Sequence, residues 1–315
     1  MEKNARIFVA GAETLIGAAI LSQLKQQGYQ NLVGNEADLK IDLSDRVQVE
    51  ALFAQYKPDY VFLAAGKSGG IQANQKYPAD LMLDNLLIVS HVIHQSYCHQ
   101  VKKLLYLASS CSYPKHCAQP MQVSSLWTGV LEPTNEAYAV AKLAGITLCQ
   151  SYHQQYGANF ITAIPANAFG VGDDFSLEDS HVIPALIRKF HEAKVSKSDR
   201  VEIWGTGTPR REFIFADDLA DACLFVMAHY NDARPINLGG GEDVSIRQLA
   251  TLIQSVVGFE GELSFDPTKP DGMPLKALDA TELCEMGWKS QTSLQDAISS
   301  TYAYFLQSNR EVAYV

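Results

Sequence analysis

An α/β fold is predicted: a doubly wound parallel sheet followed by a smaller α/β domain. Three observations predict it. Short apolar runs alternate with longer amphipathic segments through the first half of the chain. A glycine-bearing turn, FVAGAETLIGAAI, joins the first apolar run to the first amphipathic segment. After residue 167 the alternation loosens into loops rich in Gly, Pro and Asp. Strand and helix in regular succession favour parallel strands with helices on both faces of the sheet.

Each element has its own signal. RIFVAG reads as a strand, and LIGAAILSQLKQQG as an amphipathic helix closing on Gly28. NLV is a short strand, and residues 42–56 read as a helix after an Asp/Ser start. DYVFLAAG is a strand, LMLDNLLIVSHVIHQSYCH a long helix, and KKLLYLASS a further strand. AYAVAKLAGITLCQSYHQQYG is a second long helix, followed by the strand FITAIPAN. These place a dinucleotide-binding domain at 1–167. Residues 168–315 form a mainly substrate-binding domain, with some strands and helices shared. There, HVIPALIRKFHEA and IRQLATLIQSVVG read as helices between the loops FGVGDDFSLEDS, GTGTPRREF and PTKPDGMP.

Composition narrows the class. The 315 residues are 47% hydrophobic and 19% charged, as expected of a globular protein with a sizeable core. A formal net charge of −10 weighs against nucleic acid as a partner. No apolar run approaches the ~18–20 residues that span a bilayer. The N-terminus runs straight into a strand, without a signal-peptide pattern. Six cysteines without a CxxC pair read as reduced thiols rather than a disulfide framework. A cytoplasmic protein with neither membrane nor nucleic-acid partner is expected.

The glycine turn points to a dinucleotide. Gly11 and Gly17 lie six residues apart, at the end of a strand and the start of a helix. Gly11 permits a tight turn, and Gly17 lets helix and sheet approach closely. The helix start, around Thr14, Leu15 and Ile16, then offers free N–H groups and a positive dipole end to a pyrophosphate. Thr14 stands where such a turn usually has a middle glycine. Either the backbone tolerates a β-branched side chain there, or the hydroxyl contributes a hydrogen bond. Glu13 and Glu36 are carboxylates placed to favour a free ribose 2′-hydroxyl, and no arginine accompanies them. The expected cofactor is therefore NAD(P)H, with NAD(H) favoured over NADP(H). Asp42 is placed to accept the adenine amino group. Ala64, Ala65 and Lys67 follow the third strand, and Pro165 and Asn167 end the strand FITAIPAN. All are expected to line the cofactor.

The stretch LASSCSYP sets Ser109, Ser110 and Cys111 at the carboxyl end of a strand. That edge of a parallel sheet faces the ligand crevice. In EAYAVAK, Tyr138 and Lys142 lie four residues apart, on one face of a helix. Lys142 is expected to lower the phenol pKa of Tyr138. Ser109 is expected to hydrogen-bond the same substrate oxygen as Tyr138. Taken singly, YxxxK also occurs on surface helices, and a cysteine also packs as a small apolar residue.

Together, the glycine turn, strand-end serine and YxxxK resemble the extended short-chain dehydrogenase/reductase family. AAGKSGGIQANQKYPAD, SSCSYPKHCAQPM, LEPTNEAYAVAKLAGITLCQSYHQQYG and SHVIPALIRKFHEA resemble, more narrowly, the GDP-L-fucose synthase family of GDP-4-keto-6-deoxymannose 3,5-epimerase/4-reductases. WGTGTPRREFIFADDLA and KPDGMPLKALD extend that similarity over nearly the whole chain. The resemblance implies that Cys111 and His181 move protons beside the carbonyl of a GDP-linked keto sugar. It implies that Ser110, Asn167, Arg188, Lys189, Trp204, Arg211 and Lys276 hold that substrate with His181. It also implies that Asn85 orients the site, and that the two long helices form a homodimer interface. The alternative is a reductase or carbon-4 dehydrogenase/epimerase acting on another GDP-sugar, a heptose or a dideoxy sugar. This chain reads GKSGG where the family commonly has AKVGG, and Phe169 stands where the family has tyrosine.

Overall fold

The computed structural model describes residues 1–33, 41–176, 180–240, 243–269 and 271–312. Its centre is a six-stranded sheet. Strands β1 (Ile7–Ala10), β2 (Leu32–Val33), β3 (Tyr60–Leu63), β4 (Lys103–Leu107) and β5 (Phe160–Pro165) build most of it. Every residue of β1, β4 and β5 is buried. That is why these strands read as unbroken apolar runs: helices cover both faces. The helices are α1 (Leu15–Gln26), α2 (Arg46–Tyr56), a short α3 (Ile71–Lys76), α4 (Pro78–Cys98) and α5 (Glu136–Tyr156).

Sequence and structure differ on two element ends. Helix α2 begins at Arg46, not at residue 42. Asp45 is its N-cap and accepts the Val47 amide at 2.8 Å, while Asp42 accepts the Ser44 amide at 2.9 Å in the preceding turn. Two aspartates that could each start a helix are thus used in series. The strand FITAIPAN is also two strands. The chain leaves the central sheet after Pro165, and β6 (Asn167–Phe169) pairs in another sheet.

The remaining elements are α6 (Val182–Val195), β7 (Arg200–Trp204), β8 (Arg210–Phe215), α7 (Ala216–His229), β9 (Ile236–Leu238) and β10 (Asp243–Ser245). They are followed by α8 (Ile246–Val257), β11 (Glu262–Asp266), β12 (Leu275–Lys276), α9 (Thr281–Glu285) and α10 (Leu294–Val312). Strand β8 pairs with β6, β10 and β12, and β7 pairs with β11. A second core, around Ile187, Phe190, Leu249, Ile253 and Ile298, fills the space among α6, α8 and α10.

The central sheet has the order β2-β1-β3-β4-β5-β9, and every pairing in it is parallel. Its last strand therefore comes from the second half of the chain. Helix α7 returns with it and packs on α1. Lys103, at the start of β4, locks this return. Its buried ammonium donates to the carbonyls of Val226 (3.3 Å), Met227 (2.7 Å) and Tyr230, and to Asn231 Oδ1 (3.0 Å). Burial lowers its pKa to about 8. The chain steps from β1 outward to β2, then crosses back to β3 on the other side of β1. The connections leaving the carboxyl ends of β1 and β3 therefore run to opposite faces of the sheet and open a crevice between them. Among the described residues, no helix is long and apolar enough to cross a membrane.

Candidate active site

The glycine turn opens this crevice. Gly11 has φ +85°, and a Cβ on it would lie 2.6 Å from the Ala65 backbone. A Cβ on Gly17 would lie 1.8 Å from the Gly11 carbonyl oxygen. Neither position admits a side chain, so the turn presents bare backbone. Thr14 is the N-cap of α1. Its hydroxyl donates to Gly11 O at 2.8 Å and accepts the Gly17 amide at 3.1 Å. The hydroxyl thus contributes its hydrogen bonds to the turn itself, in place of a middle glycine. The helical ladder begins with Ala18 N to Thr14 O, at 2.8 Å, so the amides of Leu15 and Ile16 precede it. This bare cradle with free amides fits a dinucleotide pyrophosphate.

Around the cradle, Glu13 is exposed and Ala64 and Ala65 pack beneath Gly11. Glu36 lies outside the described residues. Asp42 Oδ1 is engaged by the amide and hydroxyl of Ser44, which hold its pKa down. Lys67 is paired with Asp84 of α4 at 2.5 Å. Asn85 is fully buried and donates to the Lys67 carbonyl at 2.8 Å. Gly66, at φ +148°, passes so close that a Cβ would lie 2.5 Å from Asn85 Oδ1 and 3.3 Å from Lys142 Nζ. The glycine that departs from the family loop is therefore packed against the site.

At the end of β4, Ser109 caps a single helical turn, Ser110–Ser112, by accepting the Cys111 amide at 3.2 Å. Ser110 itself is buried. Burial pushes the Tyr138 phenol well above its ordinary pKa, Cys111 adds to the rise, and a hydrogen bond with Ser109 opposes it. Lys142 Nζ lies 5.7 Å from the Tyr138 ring centroid and donates to Leu107 O at 3.3 Å. Burial lowers its pKa to about 8, with Cys111 pulling the other way. Desolvation dominates at Tyr138 and the opposing influence comes from Ser109, so the expected lowering by Lys142 is not seen.

Cys111 is partly buried, and two donors meet its sulfur. Asn135 Nδ2 is at 3.2 Å and Lys276 Nζ at 3.6 Å. His181 stands at the N-cap of α6 without capping it. Its ring is reached by water yet walled by protein, so desolvation first, and Lys276 second, lower its pKa, with Asp174 opposing. Lys276 thus meets the sulfur of Cys111 directly and acts on His181 through its charge. β12 carries it there by pairing with β8.

The other substrate candidates are spread over the second half. Arg211 donates to Met273 O at 2.5 Å and to Arg210 O at 2.8 Å, clamping the loop before β12. Arg188 is engaged by Glu192 at 2.7 Å and by the Phe175 carbonyl at 2.9 Å. Lys189 is exposed, and Trp204 is 56% exposed, with Lys269 over its ring. Asn167 Nδ2 donates to Glu212 O at 2.8 Å, fastening β6 to β8. Pro165 is buried at the end of β5. Sequence reading passed over Asn135. Asparagine before a helix reads as a cap, so its spacing carries no sign of chemistry.

Residues 7–239 match the NAD dependent epimerase/dehydratase family. The chain belongs to that family. Within the NAD dependent epimerase/dehydratase family, GDP-L-fucose synthase 1 of Arabidopsis thaliana is 51% identical over 307 residues, covering 98% of this chain and 95% of its own. A GDP-6-OMe-4-keto-L-xylo-heptose reductase from C. jejuni superposes with a TM-score of 0.92 at 34% identity, covering 98% of this chain and 99% of that one. A GDP-L-fucose synthetase from Naegleria fowleri bound to NADP has a TM-score of 0.91 at 28% identity, covering 98% and 95%. As a family member with this cradle, the chain is an NAD(P)-dependent enzyme.

Proposed function

We propose that the chain converts a GDP-4-keto-6-deoxy-hexose to GDP-L-fucose or a close relative, by 3,5-epimerisation and reduction at carbon 4. The observation that carries this reading is the meeting of two functional sets. Ser109, Tyr138 and Lys142 stand beside a cysteine whose sulfur has two donors, and one of those donors, Lys276, also acts on His181 through its charge. A reductase alone needs only the first set.

The chemistry follows from one carbonyl. A 4-keto group acidifies the hydrogens on carbons 3 and 5. Cys111 and His181 take and return protons there, and His181, held below its usual pKa, is neutral at pH 7. Ser109 and Tyr138 hydrogen-bond the oxygen on carbon 4, where enolate charge collects. With its pyrophosphate held by the Gly11–Gly17 turn, a reduced dinucleotide would supply the hydride for carbon 4. Tyr138 gives that oxygen its proton, a task suited to a phenol kept protonated. The Lys142 ammonium balances the tyrosinate left behind. Arg211, Lys189 and Lys276 supply cations for the pyrophosphate of the sugar nucleotide.

Residues 1–167 form the dinucleotide-binding unit on this reading, and 168–315 mainly the GDP-sugar unit, with α7 and β9 shared. NAD(H) is preferred over NADP(H) through Glu13 and Glu36. Dissociation constants for NADH and NADPH decide this, and tighter NADPH binding removes it. The enzyme acts as a cytoplasmic homodimer. Support comes from six free cysteines and from the exposed aromatic face that α4 and α5 share.

A second reading is favoured by the match to the C. jejuni heptose reductase: reduction or carbon-4 oxidation of another GDP-sugar, a heptose or dideoxy sugar, without epimerisation. Turnover of GDP-4-keto sugars in D2O, followed by NMR of the product, separates the two. Deuterium at carbons 3 and 5 is expected. Turnover with deuterium at neither carbon would leave the second reading standing.

A further inference from the structure

We infer that Asn135 is a positioning residue for Cys111, holding its sulfur in place with a donor that prefers a thiolate to a thiol. The inference builds on the reading in which Cys111 moves protons, but its test does not need that reading to be right. Asn135 occupies the N-cap of α5, where an asparagine side chain normally accepts a backbone amide of the first turn. Here it makes no capping bond. Its amide nitrogen turns instead to Cys111 Sγ, at 3.2 Å. The helix thus forgoes a cap, and the side chain is spent on the sulfur.

The direction of the effect follows from the donor inventory. An amide N–H can only donate, so it favours the thiolate, a pure acceptor, over the thiol. Lys276 Nζ approaches the same sulfur at 3.6 Å from β12. The other titratable groups around Cys111 are Tyr138 and Lys142, both from α5. Tyr138 is neutral. Lys142 adds positive charge, and so works in the same direction. Asn135 donates from a neutral amide at 3.2 Å, and it is fixed at the N-cap of a long helix. Its carbonyl Oδ1 is buried and has no partner among the described residues. A bound sugar hydroxyl would supply the missing donor, which couples the sulfur's anchor to an occupied site.

The test is the pH dependence of iodoacetamide alkylation at Cys111, followed by peptide mass spectrometry in the full-length protein. That readout separates it from the exposed Cys98 and Cys284. Wild type is compared with Asn135→Asp and Asn135→Ala. Asn135→Asp keeps the shape and is itself a preferred N-cap, so the fold is retained while the donor is lost. Both variants are expected to move the midpoint upward by about one pH unit, lowering the alkylation rate at pH 7 by ~10-fold with the high-pH plateau unchanged. Asn135→Asp shifts further, because it adds a negative charge beside the sulfur. Coincident profiles for wild type and either folded variant would overturn the inference. If wild type instead places no deuterium at carbons 3 and 5, the functional reading fails while the thiol profile still decides this one.

Discussion

Burial sets the protonation states on which the chemistry runs. Lys142 keeps its charge only up to about pH 8, because desolvation penalises the ammonium more than Cys111 favours it. Below that value the cation is present, and above it the cation is lost. The kcat/KM for reduction is therefore expected to fall as pH rises through about 8, and Lys142→Met is expected to lower it ~100-fold at pH 7. His181 is displaced downward, so it protonates only below the ordinary ~6.5 of histidine. Solvent deuterium incorporation should thus persist at pH 6.5 and fail on further acidification, as a pH series read by NMR would show. An acidic limb centred above 6.5 would contradict the assignment. At this scale the sequence was legible where residue type and spacing coincide, as in Ser109, Tyr138 and Lys142. Asn135 and the donation of Arg188 to the Phe175 carbonyl were not legible, because which way a polar side chain turns is decided by its neighbours in space.

Elements are placed by close approach and by capping. Gly17 holds α1 so near Gly11 that a methyl group would collide with the turn. Gly17→Ala is expected to weaken NADH binding by at least ~10-fold, measured by fluorescence titration, because the pyrophosphate cradle must open to admit it. Lys103 serves a different element. It binds three carbonyls at the carboxyl end of α7 and lies at the end of β4 away from Ser109. Lys103→Met leaves those acceptors buried without a donor. Urea denaturation should show a loss of about 3 kcal/mol, with activity per folded molecule retained. Helices α1, α4, α5, α6 and α8 and strands β1 to β5 were legible from their apolar patterns, whereas α7, α10 and β9 were not read from the sequence. The start of α2 and the break at Ala166 were not, since Asp42 and Asp45 are both competent caps and the continuation of FITAIPAN is set by pairing with β8.

At the scale of the whole molecule, two halves of the chain share one sheet. A fragment of residues 1–167 lacks α7 and β9, which cover α1 and complete the sheet. It is expected to show no cooperative thermal transition by circular dichroism, whereas the full chain does. The α4–α5 face carries Leu83, Tyr97 and Tyr156 in the open, with the two tyrosine rings stacked at 4.3 Å. If this face joins two copies, light scattering of the full chain gives twice the monomer mass, and Tyr97→Asp with Tyr156→Asp lowers it toward one. The sequence by itself determined the parallel α/β class, the glycine turn and the reactive residue types, because these depend on local periodicity and short spacings. Tertiary structure alone decided that Lys276, 165 residues from Cys111, shares its sulfur with Asn135, and that a strand from beyond residue 230 closes the first sheet. Long-range pairing and desolvation have no local signature in a chain: they exist only once distant segments exclude water together.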